Sequence, residues 1–477
     1  MPVIDYQRFF IGGRWVKPQR DDPPITVFSS ATEEALERIP AGSGADIDSA
    51  VAAARAAFPA WAALGVKERA GYLRRMAEGL RARAGAIAPL ISEEVGMPIE
   101  GALGYQTLRA ADFLTSFADL GETVAYEEAM GGSLILREPV GVVGAITPSN
   151  FPLLLSLVKL GPALVAGCTV VLKPPETAPG SLFHLAEVAE EVGLPPGVIN
   201  LVTGYGRDVG EPIARHPLVD MISFTGSTAV GRRLLELGSQ TIKRAHLELG
   251  GKSAAIVLDD ADLESSLRSA LGQAFINAGQ VCFAWSRLLV PRAKVAESEE
   301  ILTSIAGELR VGNPLDPSTT LGPIVSEAAR ERVRAHIDGA VREGARLVAG
   351  GADMPETVNR GYFVRPTVLS DVKNSMRIAQ EEVFGPVVSV IAHDGDDDAA
   401  AIANDSIFGL HGAVFSSDHG RAMRLARRVR TGQVDINGFK LGNQLHAPFG
   451  GFKQSGLGRE LGLHGIHEYL EVKSIQQ

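Results

Sequence analysis

Apolar positions along the chain fall into two rhythms. Near the amino end, Phe9-Phe10-Ile11, a Gly12-Gly13 turn and Trp15-Val16 read as short strands within a strand-and-turn region over residues 5–45. An Ala-rich helical stretch then begins at about Asp46, a residue suited to capping a helix. The spacing of Leu73, Met76, Ala77, Leu80, Ala84 and Ile87 predicts one amphipathic helix. Its opposite face carries Arg74, Arg75, Arg81 and Arg83, which read as a solvated helix face.

From residue 140 the rhythm becomes an alternation. Strands are predicted over 142–146, 169–172, 198–202, 221–224 and 254–258. Helices are predicted over 153–166, 182–192, 208–215 and 229–237. This order predicts a parallel sheet with helical crossovers, which binds ligands beyond the carboxyl ends of its strands. Residues 261–430 repeat the alternation with longer helices, a second α/β lobe. Residues 466–475 form a last candidate strand. No internal repeat or low-complexity linker breaks the pattern.

Composition narrows the class. The chain has 477 residues, enough for about two or three domains. Hydrophobic residues make up 45% and charged residues 21%, which supports a large core and excludes disorder as the main state. Fifty-three glycines without a G-X-Y period serve turns and close approaches, not collagen. A net charge of −10 speaks against nucleic acid as a partner. Only Cys168 and Cys282 occur, so a disulfide scaffold is excluded, and no metal site is expected. The start, MPVIDYQRFF, has no signal-peptide pattern. The uncharged run from Pro139 to Val158 is long enough for a bilayer, but Pro139, Pro148 and Pro152 break the required helix. The expectation is a soluble, cytoplasmic protein with no membrane partner.

Several segments offer chemistry. Gly204-Tyr-Gly206-Arg-Asp-Val-Gly210 follows a strand and looks like a dinucleotide fingerprint with one residue too many; a plain turn is the alternative. Phe224-Thr-Gly226-Ser227 opens a helix whose backbone N–H groups suit a pyrophosphate. A lone cysteine is ordinarily a small buried hydrophobe, and Cys168 at a strand start reads that way. Cys282, in Gly279-Gln280-Val281-Cys282, is a candidate nucleophile. Glu248, between Leu247 and Leu249 and followed by Gly250-Gly251-Lys252, is either an edge charge paired to Lys252 or a desolvated general base.

Taken in order, these segments resemble the aldehyde dehydrogenase superfamily of the NAD(P)-dependent, hydrolytic kind. The matching pieces are the run from Pro139 to Pro152 containing Asn150; Lys173-Pro-Pro-Glu176; Phe224-Thr-Gly226-Ser227; Glu248-Leu-Gly-Gly-Lys252; Gly279-Gln-Val-Cys282; Glu381-Glu382-Val-Phe384-Gly-Pro; and the segment from Pro448 to Glu460. The resemblance covers roughly residues 8–475. It implies an α/β fold of two parallel-sheet lobes, a Rossmann-like cofactor lobe and a catalytic lobe, plus a β-arm for oligomerisation. The implied divisions are 1–119 with 139–250 for the cofactor, 251–453 for catalysis, and 120–138 with 454–477 for the arm and C-terminal segment. A homodimer or homotetramer follows from the same likeness.

The resemblance also implies roles. Cys282 attacks the aldehyde, Asn150 and the Cys282 N–H hold the oxyanion, and Glu248 activates the water that hydrolyses the thioester. Lys159 and Glu460 match proton-relay positions. Cofactor contacts map onto Ile146, Thr147, Pro148, Lys173, Glu176, Phe224, Gly226, Ser227, Val230, Leu249, Glu382 and Phe384. Gly206 and Gly210 fall in a loop near the nicotinamide. A carboxylate at Glu176 favours NAD over NADP, because it repels a 2′-phosphate. The substrate tunnel maps onto Phe151, Leu154, Leu155, Val158, Val281, Phe283 and Phe449. These residues are apolar and include no arginine, which points to an uncharged, hydrophobic aldehyde: medium-chain, aromatic or terpenoid. Lys440 near the tunnel mouth weighs the other way, toward a semialdehyde dehydrogenase of the same fold. A non-catalytic relative that kept only the fold is disfavoured, because Cys282, Glu248 and Asn150 are all present. Ser149 stands where many relatives have Trp, so the packing around Asn150 should loosen or be replaced.

Overall fold

The computed structural model describes residues 3–440 and 444–476. Two large sheets carry the chain. The first has eight strands in the order Gly456–Leu457, Arg244–Glu248, Met221–Thr225, Val142–Ile146, Thr169–Lys173, Ile199–Leu201, Phe9–Ile11, Arg14–Val16. Its five central strands are parallel, and antiparallel pairs close both edges. The sheet is therefore mixed where the sequence pattern predicted it parallel. A short strand can complete an edge from a distant part of the chain, and periodicity does not reveal such pairing.

Side chains of the central strands alternate between two buried faces. Val143, Ala145, Val170 and Leu172 join the core around the long helices. Val142, Ile146 and Val171 join a second cluster on the opposite face, with Ile47, Val51 and Ile213. The second sheet has seven strands, centred on Ala254–Val257, Arg287–Pro291 and Val387–His393, and has its own core. A hairpin of Glu127–Met130 and Ser133–Pro139 pairs with Leu470–Gln476 in a smaller antiparallel sheet.

Several local readings need correction. The first long helix spans Gly44–Ala63 and is capped by Ser43; Asp46 is the partner inside its capping box, not the cap. The amphipathic run is two helices, Val66–Ala82 and Ala84–Val95, broken at Arg83 (φ −99°, ψ 6°). The arginine face is tied to acids of neighbouring helices: Arg74 to Asp119 at 2.7 Å and Glu122 at 2.8 Å, Arg81 to Asp112 at 2.8 Å, and Arg83 to Glu187 at 2.9 Å. Residues 466–475 split into the end of a helix, Gly462–His467, and the strand Leu470–Gln476. The Pro139–Val158 run forms a strand and the start of the buried helix Pro152–Ala166. Among the described residues no single helix is long and apolar enough to cross a membrane.

Candidate active site

One wall of the site is built from the carboxyl ends of four adjacent strands. Ile146 lies in register with Lys173 on one side and Phe224 on the other, and Thr225 with Glu248. Chain order reverses between Val142–Ile146 and Met221–Thr225, the point where open α/β sheets form a ligand crevice. Thr147 donates its N–H to the Lys173 carbonyl at 3.1 Å, with Pro148 next in the same loop. Lys173 Nζ meets Glu176 Oε2 at 2.8 Å, and that carboxylate is about one-third exposed (35%). Ser227 caps the helix Thr228–Gly238, its Oγ accepting from the Val230 N–H at 3.3 Å. A Cβ on Gly226 would collide with the Phe224 ring, so this turn requires glycine. Leu249 packs under the same helix at Gly231.

Gly210 sits against Ile146 and Lys173, at the carboxyl ends of their two strands.

The opposite wall comes from loops that precede strands of the second sheet. Ala254 pairs with Arg287, and Arg287 with Ser389, so the loops holding Gly251, Cys282 and Glu382 enter the sheet side by side. The Gly251 N–H donates to Glu382 Oε1 at 3.1 Å. A Cβ on Gly251 would strike the Cys282 carbonyl, and one on Gly279 the Gly385 carbonyl. Asn277 (φ 51°), Ala278 (φ 54°) and Gly279 (φ 73°) are successive left-handed residues, and Phe384 (φ 58°) is another. Strain of this kind, of order 1–3 kcal/mol per non-glycine residue, persists only where the surroundings impose it. Gln280 imposes it here: its Oε1 accepts from the Val325 N–H at 2.8 Å, and its Nε2 donates to the Asn277 carbonyl at 3.1 Å.

Asn150 and Cys282 meet where the walls join. Asn150 is buried, and its Nδ2 donates to the Gln280 carbonyl at 2.8 Å. Its own carbonyl accepts from Gln106 Nε2 at 3.0 Å and Asn277 Nδ2 at 2.8 Å. Those two amides hold the loop that Ser149 leaves without an indole. One N–H of the Asn150 amide remains for an oxyanion. Cys282 is half-buried. Burial, then the nearby Glu382 and Glu248 carboxylates, push its thiol well above the usual range.

Glu248 ends its strand and does not pair with Lys252; both its carboxylate oxygens are buried without a hydrogen-bond partner. Burial, then Glu460, hold its pKa well above the ordinary carboxylate value, the direction that makes a carboxylate a better proton acceptor. Lys159 Nζ contacts Glu460 Oε1 at 2.7 Å, with both side chains buried. Glu382 is pushed up to about 7 by burial, against the Gly251 hydrogen bond. Among the described residues no cluster of His, Cys, Asp and Glu is placed to hold a metal ion.

The model of the aldehyde dehydrogenase family matches residues 15–475. The chain belongs to the aldehyde dehydrogenase family. It is 44% identical over 480 residues to the geranial dehydrogenase of Castellaniella defragrans, covering 99% of each chain. It is 43% identical to the 3-succinoylsemialdehyde-pyridine dehydrogenase of a Pseudomonas species, covering 99% of this chain and 98% of that one. A solved structure of aldehyde dehydrogenase C from Pseudomonas syringae superposes with a TM-score of 0.97 at 45% identity, covering 98% of this chain and 96% of that one. That protein is a cysteine-to-alanine mutant in complex with NAD+ and octanal.

In this aldehyde dehydrogenase, all seven expected tunnel residues fall in one hydrophobic cluster. Phe151, Leu154, Val158, Val281, Phe283 and Phe449 are buried within it, and Leu155 and Cys282 pack against it. Phe283 stacks on Phe439 (centroids 5.8 Å apart) and meets Phe449 edge-on (6.0 Å). Tyr105 meets Phe151 at 5.6 Å. Tyr105, Phe439 and His246 were missed in the sequence. Tyr105 and Gln106 lie on a π-helical turn, Ala102–Leu108, that a 3.6-residue period does not identify. Arg109, just beyond that turn, acts electrostatically on Tyr105 and was also missed. Lys440 follows Phe439, is exposed, and donates its backbone N–H to Asp435 at 3.0 Å.

Proposed function

We propose that the enzyme oxidises an uncharged, hydrophobic aldehyde to its acid, with NAD as the preferred cofactor. The observation that carries this reading is that Phe151, Leu154, Val158, Val281, Phe283 and Phe449 are all buried in the large apolar core against which Cys282 also packs, with Phe283 stacked on Phe439 and edge-on to Phe449. The names of two similar proteins, carrying geranial and a pyridine-bearing semialdehyde, and the octanal bound by a third, support an apolar substrate end.

The residues present fit a dinucleotide. The Ser227-capped helix start offers backbone N–H groups to a pyrophosphate, and Phe224, Gly226, Val230 and Leu249 shape that end. Ile146, Thr147 and Pro148 line the crevice floor. Lys173 and Glu176, beside Gly206–Gly210, would hold the adenosine ribose, and Glu382 with Phe384 would hold the nicotinamide ribose. Bound NAD supplies the hydride acceptor that turns a thiohemiacetal into a thioester. Everything else belongs to the chain. Half-buried Cys282 loses its thiol proton to solvent as its sulfur bonds to the aldehyde carbon, and the free Asn150 N–H and the Cys282 N–H receive the oxyanion. One such donor contributes about 3 kcal/mol in the transition state. Glu248 then takes a proton from water as the oxygen attacks the thioester, with Lys159 and Glu460 behind it.

We read 1–119 with 139–250 as the cofactor domain, 251–453 as the catalytic domain, and 120–138 with 454–477 as arm and C-terminal segment. The separate sheets support these divisions, except that Gly456–Leu457 completes the edge of the first sheet. Exposed Met130 (60%) and Val472 (68%) on the small sheet support its use against a second copy, as a dimer or tetramer. The test is steady-state kinetics with NAD over octanal, geranial, benzaldehyde and succinic semialdehyde. The first three should give the higher kcat/KM; a profile led by succinic semialdehyde would overturn the substrate class and place its carboxylate near Arg109 or Lys440.

A further inference from the structure

His246 lies inside the strand that ends at Glu248, is 1% exposed, and neither ring nitrogen has a hydrogen-bond partner. Leaving buried polar atoms unpaired is costly. The ring stands between two carboxylates: Nε2 is 3.5 Å from Glu248 Oε1, and Nδ1 is 4.0 Å from Glu460 Oε1. The same Glu460 oxygen holds Lys159 Nζ at 2.7 Å. Lys159, Glu460, His246 and Glu248 thus form a buried row, with the ring 3.5 Å from one carboxylate and 4.0 Å from the other.

We propose that His246 is a positioning residue that receives the water-derived proton from Glu248 and hands charge on to the Lys159–Glu460 pair. The proposal rests on Glu248 acting as the general base. Water gives a proton to Glu248 while its oxygen bonds to the thioester carbon and the Cys282 sulfur leaves. The thiolate takes the proton of the product acid, so Cys282 returns to the thiol. Glu248, turned toward the ring, gives its proton to Nε2, and Nδ1 gives its own to Glu460. From Glu460 the proton leaves past half-exposed Arg459, and a ring flip restores the first tautomer. One proton is exported per thioester hydrolysed.

The surroundings keep the ring a neutral acceptor. Burial, then Lys159 and Arg459, hold its basicity well below the ordinary imidazole value. The charged or titratable groups facing the row are Glu248 on its own strand, Lys159 on the helix Pro152–Ala166, Arg459 and Glu460 on the loop before the last helix, and Glu468 and Tyr469 after it. Glu468 Oε1 accepts from the Arg459 N–H at 3.1 Å. The Tyr469 hydroxyl is engaged with Ser223 Oγ at 2.9 Å, on the neighbouring strand position to His246.

The test uses the full-length enzyme with NAD and octanal, comparing His246→Asn and His246→Gln with wild type. Both variants should keep the pre-steady-state NADH burst, while steady-state kcat falls about tenfold or more, a smaller loss than the roughly 10²–10⁴-fold of a direct general acid or base. Their kcat should rise with buffer concentration across the pH profile, because external base replaces the lost acceptor; wild-type kcat should not. Wild-type kcat, buffer response and pH profile in either variant would overturn the proposal, as would loss of the burst together with turnover. If neither variant folds, wild-type kcat in mixed light and heavy water decides: a bowed dependence on deuterium fraction supports a relay, and a straight line overturns it. Sustained turnover by Glu248→Gln would instead overturn the role of Glu248, which separates the two failures.

Discussion

The side-chain amide of Asn277 donates to the backbone carbonyl of Asn150 at 2.8 Å. That bond joins the two walls of the active site. Asn150 follows a strand of the first sheet, and Asn277 opens the left-handed turn that leads to Cys282. It aligns the proposed oxyanion donor with the proposed nucleophile, and alignment of reacting groups carries much of a catalytic barrier.

Asn277→Gly separates this bond from the turn conformation, since glycine accepts φ 51° without strain. Gln106 still grips the Asn150 carbonyl. The expected result is an NADH burst slowed by about tenfold, or roughly 1.4 kcal/mol, with NAD affinity unchanged. Stopped-flow absorbance measures it, and an unchanged burst rate would show that Gln106 alone positions Asn150.

Cys282→Ala should abolish NADH formation and leave NAD binding nearly intact. Retention of about a tenth of wild-type turnover would contradict the assignment, since a nucleophile's loss costs far more. The raised thiol makes a second forecast. The reactive thiolate fraction grows only as pH climbs through a value held above the ordinary one by burial and by Glu382 and Glu248. Iodoacetamide inactivation of the cofactor-free enzyme should therefore still be accelerating beyond pH 9; a plateau near neutrality would contradict it.

Cofactor preference should follow Glu176. A 2′-phosphate adds about −1.5 to −2 charge beside that carboxylate. NAD should therefore exceed NADP in kcat/KM by about tenfold or more, 1.4 kcal/mol per decade. Glu176→Gln should narrow the ratio, because Lys173, released from its 2.8 Å pairing, is then available to the phosphate. Equal efficiency in the unmodified enzyme would mean that Lys173 already dominates.

Much of this was legible in advance, for identifiable reasons. The strands around Val142–Ile146 and Thr169–Lys173 are apolar on both faces, so their pattern is unambiguous. The segments carrying Asn150, Glu248 and Cys282 have local signatures, and the fold brings them together. The strand Arg244–Glu248 was not legible, because Arg244, His246 and Glu248 make a polar alternation that looks exposed, while His246 and Glu248 are buried. Strand order is not written in any local pattern, which is why the antiparallel edges of the first sheet were not anticipated. The acids that pair with Arg74, Arg81 and Arg83 come from helices distant in sequence.

Val158 tests the tunnel. Each buried methylene is worth about 0.8 kcal/mol, roughly a fourfold gain in kcat/KM while the chain fits. In the wild-type enzyme the gain should persist from acetaldehyde to octanal. Val158→Trp should end it early, lowering kcat/KM for octanal by more than tenfold and sparing acetaldehyde. Equal losses for both aldehydes would place Val158 outside the substrate path.

The most direct measurement is the intact mass of Glu248→Gln quenched during reaction with NAD and octanal. Without the base the thioester should accumulate, so one NADH forms per site and multiple turnover is lost. The account predicts a mass increase of one octanoyl group, located on Cys282 by peptide mapping and removed by hydroxylamine. An NADH burst with no acyl adduct, or an adduct on Cys168, would contradict it.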